Sequence, residues 1–122
     1  MANAARDLYP ERGNNNPEVI NLAGRIGLSS SPTRVAGRAY TVTRAPTGLF
    51  SIVTDFQWKE MVGGAASVLS ATLTDAVQIV SYSPSTRTIV LQFQSAGAAD
   101  DGTTAKFIWF CFQLTQKGLS VT

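Results

Sequence analysis

The chain has 122 residues, the size of one domain, and only 15% of them are charged, so its surface carries less charge than that of an average soluble domain. It contains no histidine and a single cysteine, which excludes histidine-based catalysis, the usual zinc sites and an internal disulfide. With so few charged residues, the chain must either bury the additional apolar surface against a partner or a copy of itself, or have a surface of neutral polar side chains. These features favour a structural or binding role over catalysis.

The net charge of +2 is unevenly distributed along the chain. Residues 1–44 contain six arginines and three carboxylates, whereas residues 45–122 have a net charge of −1. The arginines suit protein interfaces, where a planar guanidinium meets carboxylates, but ordinary solvated charges fit the pattern equally well. Because they are isolated among small residues and form no basic run, we expect no nucleic-acid partner.

The first 23 residues are predicted to be an N-terminal arm. Breakers such as Pro10, Gly13 and Pro17 interrupt them, and their few apolar residues resemble single anchors. An arm of this length reaches roughly 60 Å when extended. It would either order on a neighbouring subunit or partner, or remain a disordered tail. The predicted partner-binding residues of the arm are Arg6, Leu8, Tyr9, Arg12, Val19 and Ile20.

Residues 24–122 are predicted to form a β domain. Short runs rich in β-branched and aromatic residues alternate with turn signals every 8–12 residues, which indicates an all-β fold: a small antiparallel sandwich or barrel, jelly-roll-like. Gly63-Gly64 is expected to interrupt the pattern. The predicted strands are 24–30, 37–44, 48–54, 66–74, 76–82, 87–94 and 104–115.

One hairpin allows a prediction of register. In 87–94 the residues Ile89, Leu91 and Phe93 share a face, because side chains alternate along a strand. Opposed residues of an antiparallel pair lie on the same face, so Ile79 or Val77 should lie opposite Leu91. This arrangement predicts a loop of odd length, either 84–86 or 83–87.

The last predicted strand is apolar on both faces. Ile108, Phe110, Phe112 and Leu114 form one face, and Phe107, Trp109 and Cys111 form the other. A strand exposed on one side should alternate with polar residues. Either this strand is central with a loop folded over it, or Phe107 and Trp109 belong to a subunit interface, where aromatic residues are enriched.

Few residues suggest chemistry. Asp100-Asp101 is the only adjacent carboxylate pair and is expected to be a solvated hairpin tip, and Cys111 is expected to be buried and inert. Trp58 has polar neighbours and could serve as an exposed platform for a glycan. We therefore expect no catalytic residue, no metal and no cofactor. No hydrophobic stretch resembles a signal peptide or a membrane span, so we expect synthesis in a cytosol and no membrane partner.

The order of elements resembles that of small all-β virion proteins of tailed bacteriophages, especially capsid decoration (cement) proteins. The resemblance lies in a breaker-rich arm, Ser/Thr/Ala-rich strands, the hairpin 77–91 and the closing aromatic strand 107–110. It implies a homotrimer on the capsid surface, made in the host cytoplasm and binding the major capsid protein through its arm and its oligomer base. The alternative is a receptor- or glycan-binding head or adaptor module of a phage tail. An enzyme using carboxylate pairs is a third, less favoured hypothesis.

Overall fold

A computed structural model describes residues 19–116 of the chain, and every regular element in that range is a β-strand. The strands are β1 (Val19–Gly27), β2 (Thr33–Ala36), β3 (Tyr40–Arg44), β4 (Leu49–Thr54), β5 (Glu60–Leu69), β6 (Asp75–Ser83), β7 (Thr88–Ser95), β8 (Ala98–Ala99) and β9 (Phe107–Thr115). They form two antiparallel sheets, ordered β2-β1-β9-β5 and β3-β4-β7-β6, with the short β8 added to β7. The two sheets pack as a sandwich, which confirms the predicted all-β fold class.

The core lies between the sheets and is built from side chains that alternate inward along each strand. Strand β9 lies between β1 and β5, and its inward residues are those that the sequence assigned to one face. The buried apolar residues of the first sheet are Leu22, Ile26, Ile108, Phe110, Phe112 and Leu114, and those of the second are Tyr40, Phe50, Ile52, Ile89, Leu91 and Phe93.

A buried tyrosine joins the two sheets at one corner of the core. The Tyr40 hydroxyl donates a hydrogen bond of 2.6 Å to the carbonyl oxygen of Ala36, and its ring packs edge-on against Phe110 with centroids 5.1 Å apart. Burial raises the pKa of Tyr40, and nearby Arg34 only partly opposes this. Gly24 makes the arrangement possible, because an added Cβ would lie 2.5 Å from the Tyr40 hydroxyl oxygen.

Part of the predicted arm belongs to the first sheet. Val19 pairs with Thr115 and Ile20 pairs with Leu114, so residues 19–23 form the first half of β1. The rest of the predicted arm, including Arg6, Leu8, Tyr9 and Arg12, lies outside the described residues, as do residues 117–122.

The double glycine does not interrupt a strand, contrary to the prediction. Strand β5 runs through Gly63-Gly64 and ends at Leu69, so the predicted strand 66–74 begins and ends too late. A Cβ on Gly64 would lie 2.7 Å from the Met61 Cε and 3.0 Å from the Phe112 Cδ1. The glycine is therefore accommodated in the strand because large neighbours fill the space where its side chain would be.

The β6–β7 hairpin has the predicted pairing but not the predicted loop. Ile79 lies opposite Leu91, as expected, yet Ser83 pairs with Thr88 across a four-residue loop, 84–87. A bulge at Val80 supplies the extra residue, because the register shifts between Ile79 and Ser81. The prediction of an odd loop was wrong because it assumed an uninterrupted ladder.

Candidate interaction surface

The outward side of the first sheet is an apolar face, called here the outer face. It is defined by pairing across the central strand, since residues opposite one another point to the same side. Its charged members among residues 19–116 are Arg25 and, at the end where Thr115 pairs with both Val19 and Glu60, Glu60. Asn21, Ser67, Gln113 and Thr115 add neutral polar groups. Its apolar members are Val19, Ala23, Val35, Ala65, Leu69, Phe107, Trp109 and Cys111.

Trp109 is the most prominent side chain of the outer face, with 49% of its surface exposed. The Arg25 guanidinium stacks beside it, 5.9 Å from the Trp109 ring centroid and 5.2 Å from that of Phe107. On the other side of Trp109, small residues of β5 and Cys111 leave a hollow of about 250 Å³. The outer face therefore presents the Trp109 ring next to a hollow that is also lined mainly by apolar groups.

The two predicted interface residues, Phe107 and Trp109, lie on the same side of β9, and the interface itself stays a prediction. Phe107 and Trp109 lie on the central strand, but no loop among residues 19–116 covers Trp109. Val19 lies on the same face, whereas Ile20 points toward the opposite side of the sheet. Cys111 is exposed, contrary to the expectation of a buried thiol, because it shares this uncovered side.

A second apolar feature, the edge groove, lies where the two sheets leave neighbouring edges unpaired. Strand β5 ends the first sheet and β6 ends the second, and no ladder joins them. The groove has a volume of about 550 Å³ and is lined by residues 61–64 of β5 and 79–82 of β6. A hydrogen bond of 2.5 Å from the Tyr82 hydroxyl to Glu60 crosses it at one end and raises the pKa of Tyr82.

A buried carboxylate joins the two edge strands at the opposite end. Asp75 accepts a hydrogen bond of 2.5 Å from the Ser70 hydroxyl and forms an ion pair of 2.8 Å with Lys106. The hydrogen bonds from Lys106 and Ser70 lower the pKa of Asp75 to about 2. This cluster ties the β5–β6 loop to the segment before β9.

The adjacent carboxylates Asp100 and Asp101 both stabilise turns. Asp101 accepts hydrogen bonds from Arg44 at 2.9 Å and from the Gly48 amide at 2.8 Å, and these hold its pKa below the usual range. Asp100 accepts a hydrogen bond of 2.6 Å from the Gly102 amide. Within residues 19–116, no three or more Cys, Asp or Glu side chains are placed to hold a metal ion.

Trp58 is not the exposed platform that a glycan would need. Its side chain is 2% exposed, and its indole nitrogen donates a hydrogen bond of 3.1 Å to the Thr54 hydroxyl. The ring also lies 6.0 Å from that of Tyr82, measured between centroids. The polar neighbours in sequence were misleading, because they point away from the core while the indole closes one end of it.

Sequence reasoning missed Val35, Leu69 and both residues that bulge into the edge groove, Val62 and Val80. Alternation along a strand predicts which residues share a face. It does not predict which strands lie at a sheet edge, because that depends on strand order. The only local signal was the absence of charge between Met61 and Leu69.

Comparison of the chain with protein-family models, with curated proteins and with solved structures found no match. No helix long and apolar enough to cross a membrane occurs among the described residues.

Proposed function

We propose that this chain is a structural protein that assembles with copies of itself through the outer face of its first sheet. The observation that carries the proposal is the face around Trp109, which no segment among residues 19–116 covers. Its large apolar side chains include Val35 and Leu69, and its cation Arg25 is already stacked on aromatic rings. Exposed apolar patches of this kind mark interaction sites.

A second copy fits this face better than an unrelated acidic or basic partner. The ring of Trp109 and the neighbouring hollow at Ala65 and Cys111 are complementary in character, so one copy can insert its ring beside the next. Three long strands and a short one give a footprint of about 450 Å², from strand spacing and rise. The largest apolar patch of a typical monomer covers about 300–600 Å² and is often functional, so an area of this size suits an interaction site.

The setting we propose for this assembly is a virion. The chain would act as a capsid decoration protein that contacts the major capsid protein through its arm and its oligomer base, and the resemblance to decoration proteins favours a homotrimer. Support comes from the sequence, in which a stretch rich in turn-forming residues precedes a small all-β domain, and from the exposed apolar area of the outer face. Spanning several capsid subunits would resist their separation, and each added contact would raise the avidity.

The assembly is tested by two leucine variants that form a matched pair. Leu69 lies on the outer face, whereas Leu73 is 99% exposed in the β5–β6 loop. We expect the wild type and Leu73→Asp to have the mass of a trimer by light scattering over a range of concentrations. Leu69→Asp should dissociate to the monomer mass, because a desolvated carboxylate is placed in an apolar contact. A wild type that is monomeric at every concentration would refute the proposed assembly.

The virion setting needs a separate experiment. Undecorated capsids are mixed with the full chain and with a variant lacking residues 1–18, and bound protein is separated by sedimentation. We expect the full chain to co-sediment and the truncated chain, still folded by circular dichroism, to lose most of its binding. Equal binding by both would refute the role of the arm, and no binding by either would refute the capsid as partner. The glycan-binding alternative is not proposed, since the burial of Trp58 removes the residue on which it depended.

A further inference from the structure

The edge groove exposes apolar side chains that no segment among residues 19–116 covers. Val62 and Val80 line it with 44% and 48% of their surfaces exposed, and Tyr82 is 42% exposed. Exposed apolar side chains grouped in this way mark a place where a further segment or a partner binds. The groove of about 550 Å³ has room for more than one side chain, since an apolar cavity of about 150 Å³ holds a benzene molecule.

The shape of the two edges favours side chains over a strand as the occupant. Val80 is the extra residue of β6, and Val62 is the extra residue of β5 against β9. Such bulges protect an edge, because they disturb the regular spacing of the backbone donors and acceptors that a new strand would need. The groove is therefore suited to an apolar segment that inserts its side chains between the bulges.

The chain leaves β9 beside this groove. Thr115, the last residue of β9, pairs with Glu60, the first residue of β5, and its carbonyl oxygen accepts a hydrogen bond of 2.6 Å from the Lys59 amide. Glu60 also marks one end of the groove, where it accepts the hydrogen bond from Tyr82. The chain bends at Gln116, directly after the strand. It therefore leaves the sheet about 5 Å, one strand spacing, from the start of β5.

The next six residues, 117–122, have the length needed to cover the groove. Passing the start of β5 to reach its unpaired edge takes about 10 Å, two strand spacings, which three residues can span. The groove is lined by four residues of each strand, and so extends for about 13 Å. Position 119 would then enter the groove, and residues 120–122 would lie along most of it.

The composition of this segment also suits the groove. Residues 117–122 contain no proline and no carboxylate, and Leu119 and Val121 share a side when the segment is extended. Lys117 would pass close to Glu60, the only charged residue of β5, although the neighbouring Lys59 offsets part of this attraction. Residues 1–18 suit the groove less, because they join β1 one strand farther away and through the carboxylate of residue 18.

From these observations we infer that residues 117–122 cover the edge groove of their own chain, with Leu119 and Val121 seated beside Val62 and Val80. This cover would bury apolar surface within each subunit and would keep the edges of β5 and β6 from pairing with other chains. It goes beyond the proposed assembly, because that assembly uses the outer face and the cover would form equally in a single subunit.

Thiol labelling of the full chain measures the cover. In a Cys111→Ser background, Val80→Cys places a thiol in the groove. Leu119→Asp is then added, since a carboxylate is costly to seat in an apolar groove. The matched control is Ser120→Asp, which adds the same charge on the side of the segment that would face away from the groove. We expect Leu119→Asp to raise the rate of iodoacetamide labelling roughly tenfold and Ser120→Asp to leave it unchanged.

Labelling at a distant thiol shows whether the effect is local. Leu73→Cys, in the exposed β5–β6 loop, should react at the same rate with and without Leu119→Asp. Circular dichroism confirms that each variant is folded. Equal labelling rates of Val80→Cys with Leu119→Asp and with Ser120→Asp would overturn the inference.

Disulfide formation within one chain shows where the segment lies. In the Cys111→Ser background, Val62→Cys is combined with Leu119→Cys or with Val121→Cys, and the protein is oxidised. We expect an intrachain disulfide in at least one of the two proteins, identified by the masses of linked peptides. Absence of an intrachain disulfide from both would overturn the inference.

The matched control for cross-linking carries Leu73→Cys in place of Val62→Cys. Strand β5 extends for about 30 Å between Glu60 and Leu69, whereas the six residues from Thr115 to Val121 span about 20 Å, so no intrachain disulfide should form.

A last comparison separates this inference from the proposed assembly. A tagged chain with Val62→Cys is mixed with an untagged chain with Leu119→Cys, both in the Cys111→Ser background. A two-chain disulfide without intrachain closure of the double variant would mean that the segment enters the groove of another copy, and the inference would be refuted. The mass of the Cys111→Ser protein in solution tests the assembly independently, so that either can fail while the other stands.

Discussion

Gly24→Ala tests whether close packing of Tyr40 holds the two sheets together. The added Cβ would lie 2.5 Å from the Tyr40 hydroxyl oxygen, 2.7 Å from its Cε2 and 2.8 Å from the Phe110 Cζ. All three atoms belong to the side chains of buried aromatic residues, and the Tyr40 hydroxyl is held by its hydrogen bond to Ala36. Moving any of them would therefore disturb core packing or break that hydrogen bond. Overpacking of this kind costs about 1–3 kcal/mol, and loss of the hydrogen bond would add about 1 kcal/mol.

The matched control is Gly63→Ala in β5. There the added Cβ would meet only the Gln113 side chain, whose amide oxygen lies 2.6 Å away at the end of a flexible chain. Both substitutions restrict the unfolded chain equally, so this contribution cancels in the comparison. Urea unfolding followed by fluorescence, at one protein concentration, should show Gly24→Ala less stable than Gly63→Ala by about 2–4 kcal/mol.

A double variant shows whether the clash has the assigned cause. Tyr40→Phe removes the hydroxyl oxygen nearest the new Cβ. The loss in free energy of unfolding caused by Gly24→Ala should therefore be about 1 kcal/mol smaller in the Tyr40→Phe background than in the wild type. Equal unfolding midpoints for Gly24→Ala and Gly63→Ala would refute the packing argument. Equal costs of Gly24→Ala in the two backgrounds would refute the assignment to the hydroxyl.

Two further predictions concern the carboxylates that stabilise loops. Asp75, paired with Lys106, has a pKa of about 2, below the ordinary 3.8, so its contribution to stability is complete above about pH 4 and is lost as the pH falls toward 2. Acid unfolding of Asp75→Asn should lack this component, and an unchanged profile between pH 4 and 2 would contradict the assignment. Asp101→Ala should destabilise the protein by about 1–2 kcal/mol, because the Gly48 amide loses its acceptor, whereas Arg44→Ala should cost under about 1 kcal/mol as half of an exposed ion pair. Equal urea midpoints for the two variants would contradict that difference.

Much of the fold could be predicted from side-chain alternation alone. The inward face of β9 and the pairing of Ile79 with Leu91 follow from the period of two along a strand, which is a local property. The loop of the same hairpin could not be predicted, because a bulge changes the residue count without changing the hydrophobic pattern. Bulges are over-represented at sheet edges, and whether a strand lies at an edge depends on strand order.

The candidate site was predictable only in part, for a similar reason. The two-sided apolar character of β9 predicted an interface at Phe107 and Trp109, and the structure places both on the outer face, where the interface stays a prediction. The expectation for Trp58 was wrong, because burial of a tryptophan depends on whether a partner such as Thr54 is within reach of its indole nitrogen. Cys111 was expected to be buried because of its aromatic neighbours, yet those neighbours point to the opposite side of the sheet.

The outward side of the second sheet bears hydroxyl, amide and small aliphatic groups, for example at Thr41, Gln78 and Gln92. None of the outward-pointing residues of β3, β4, β6 and β7 is charged. Among residues 19–116 the outer face of the first sheet has only Arg25 and Glu60 as charged members, so salt has few charges to screen on either broad surface. Association between copies would then depend little on ionic strength and would weaken on cooling, since the driving force is apolar burial. A preparation kept cold and dilute would favour single subunits, and warming it would favour the assembled form.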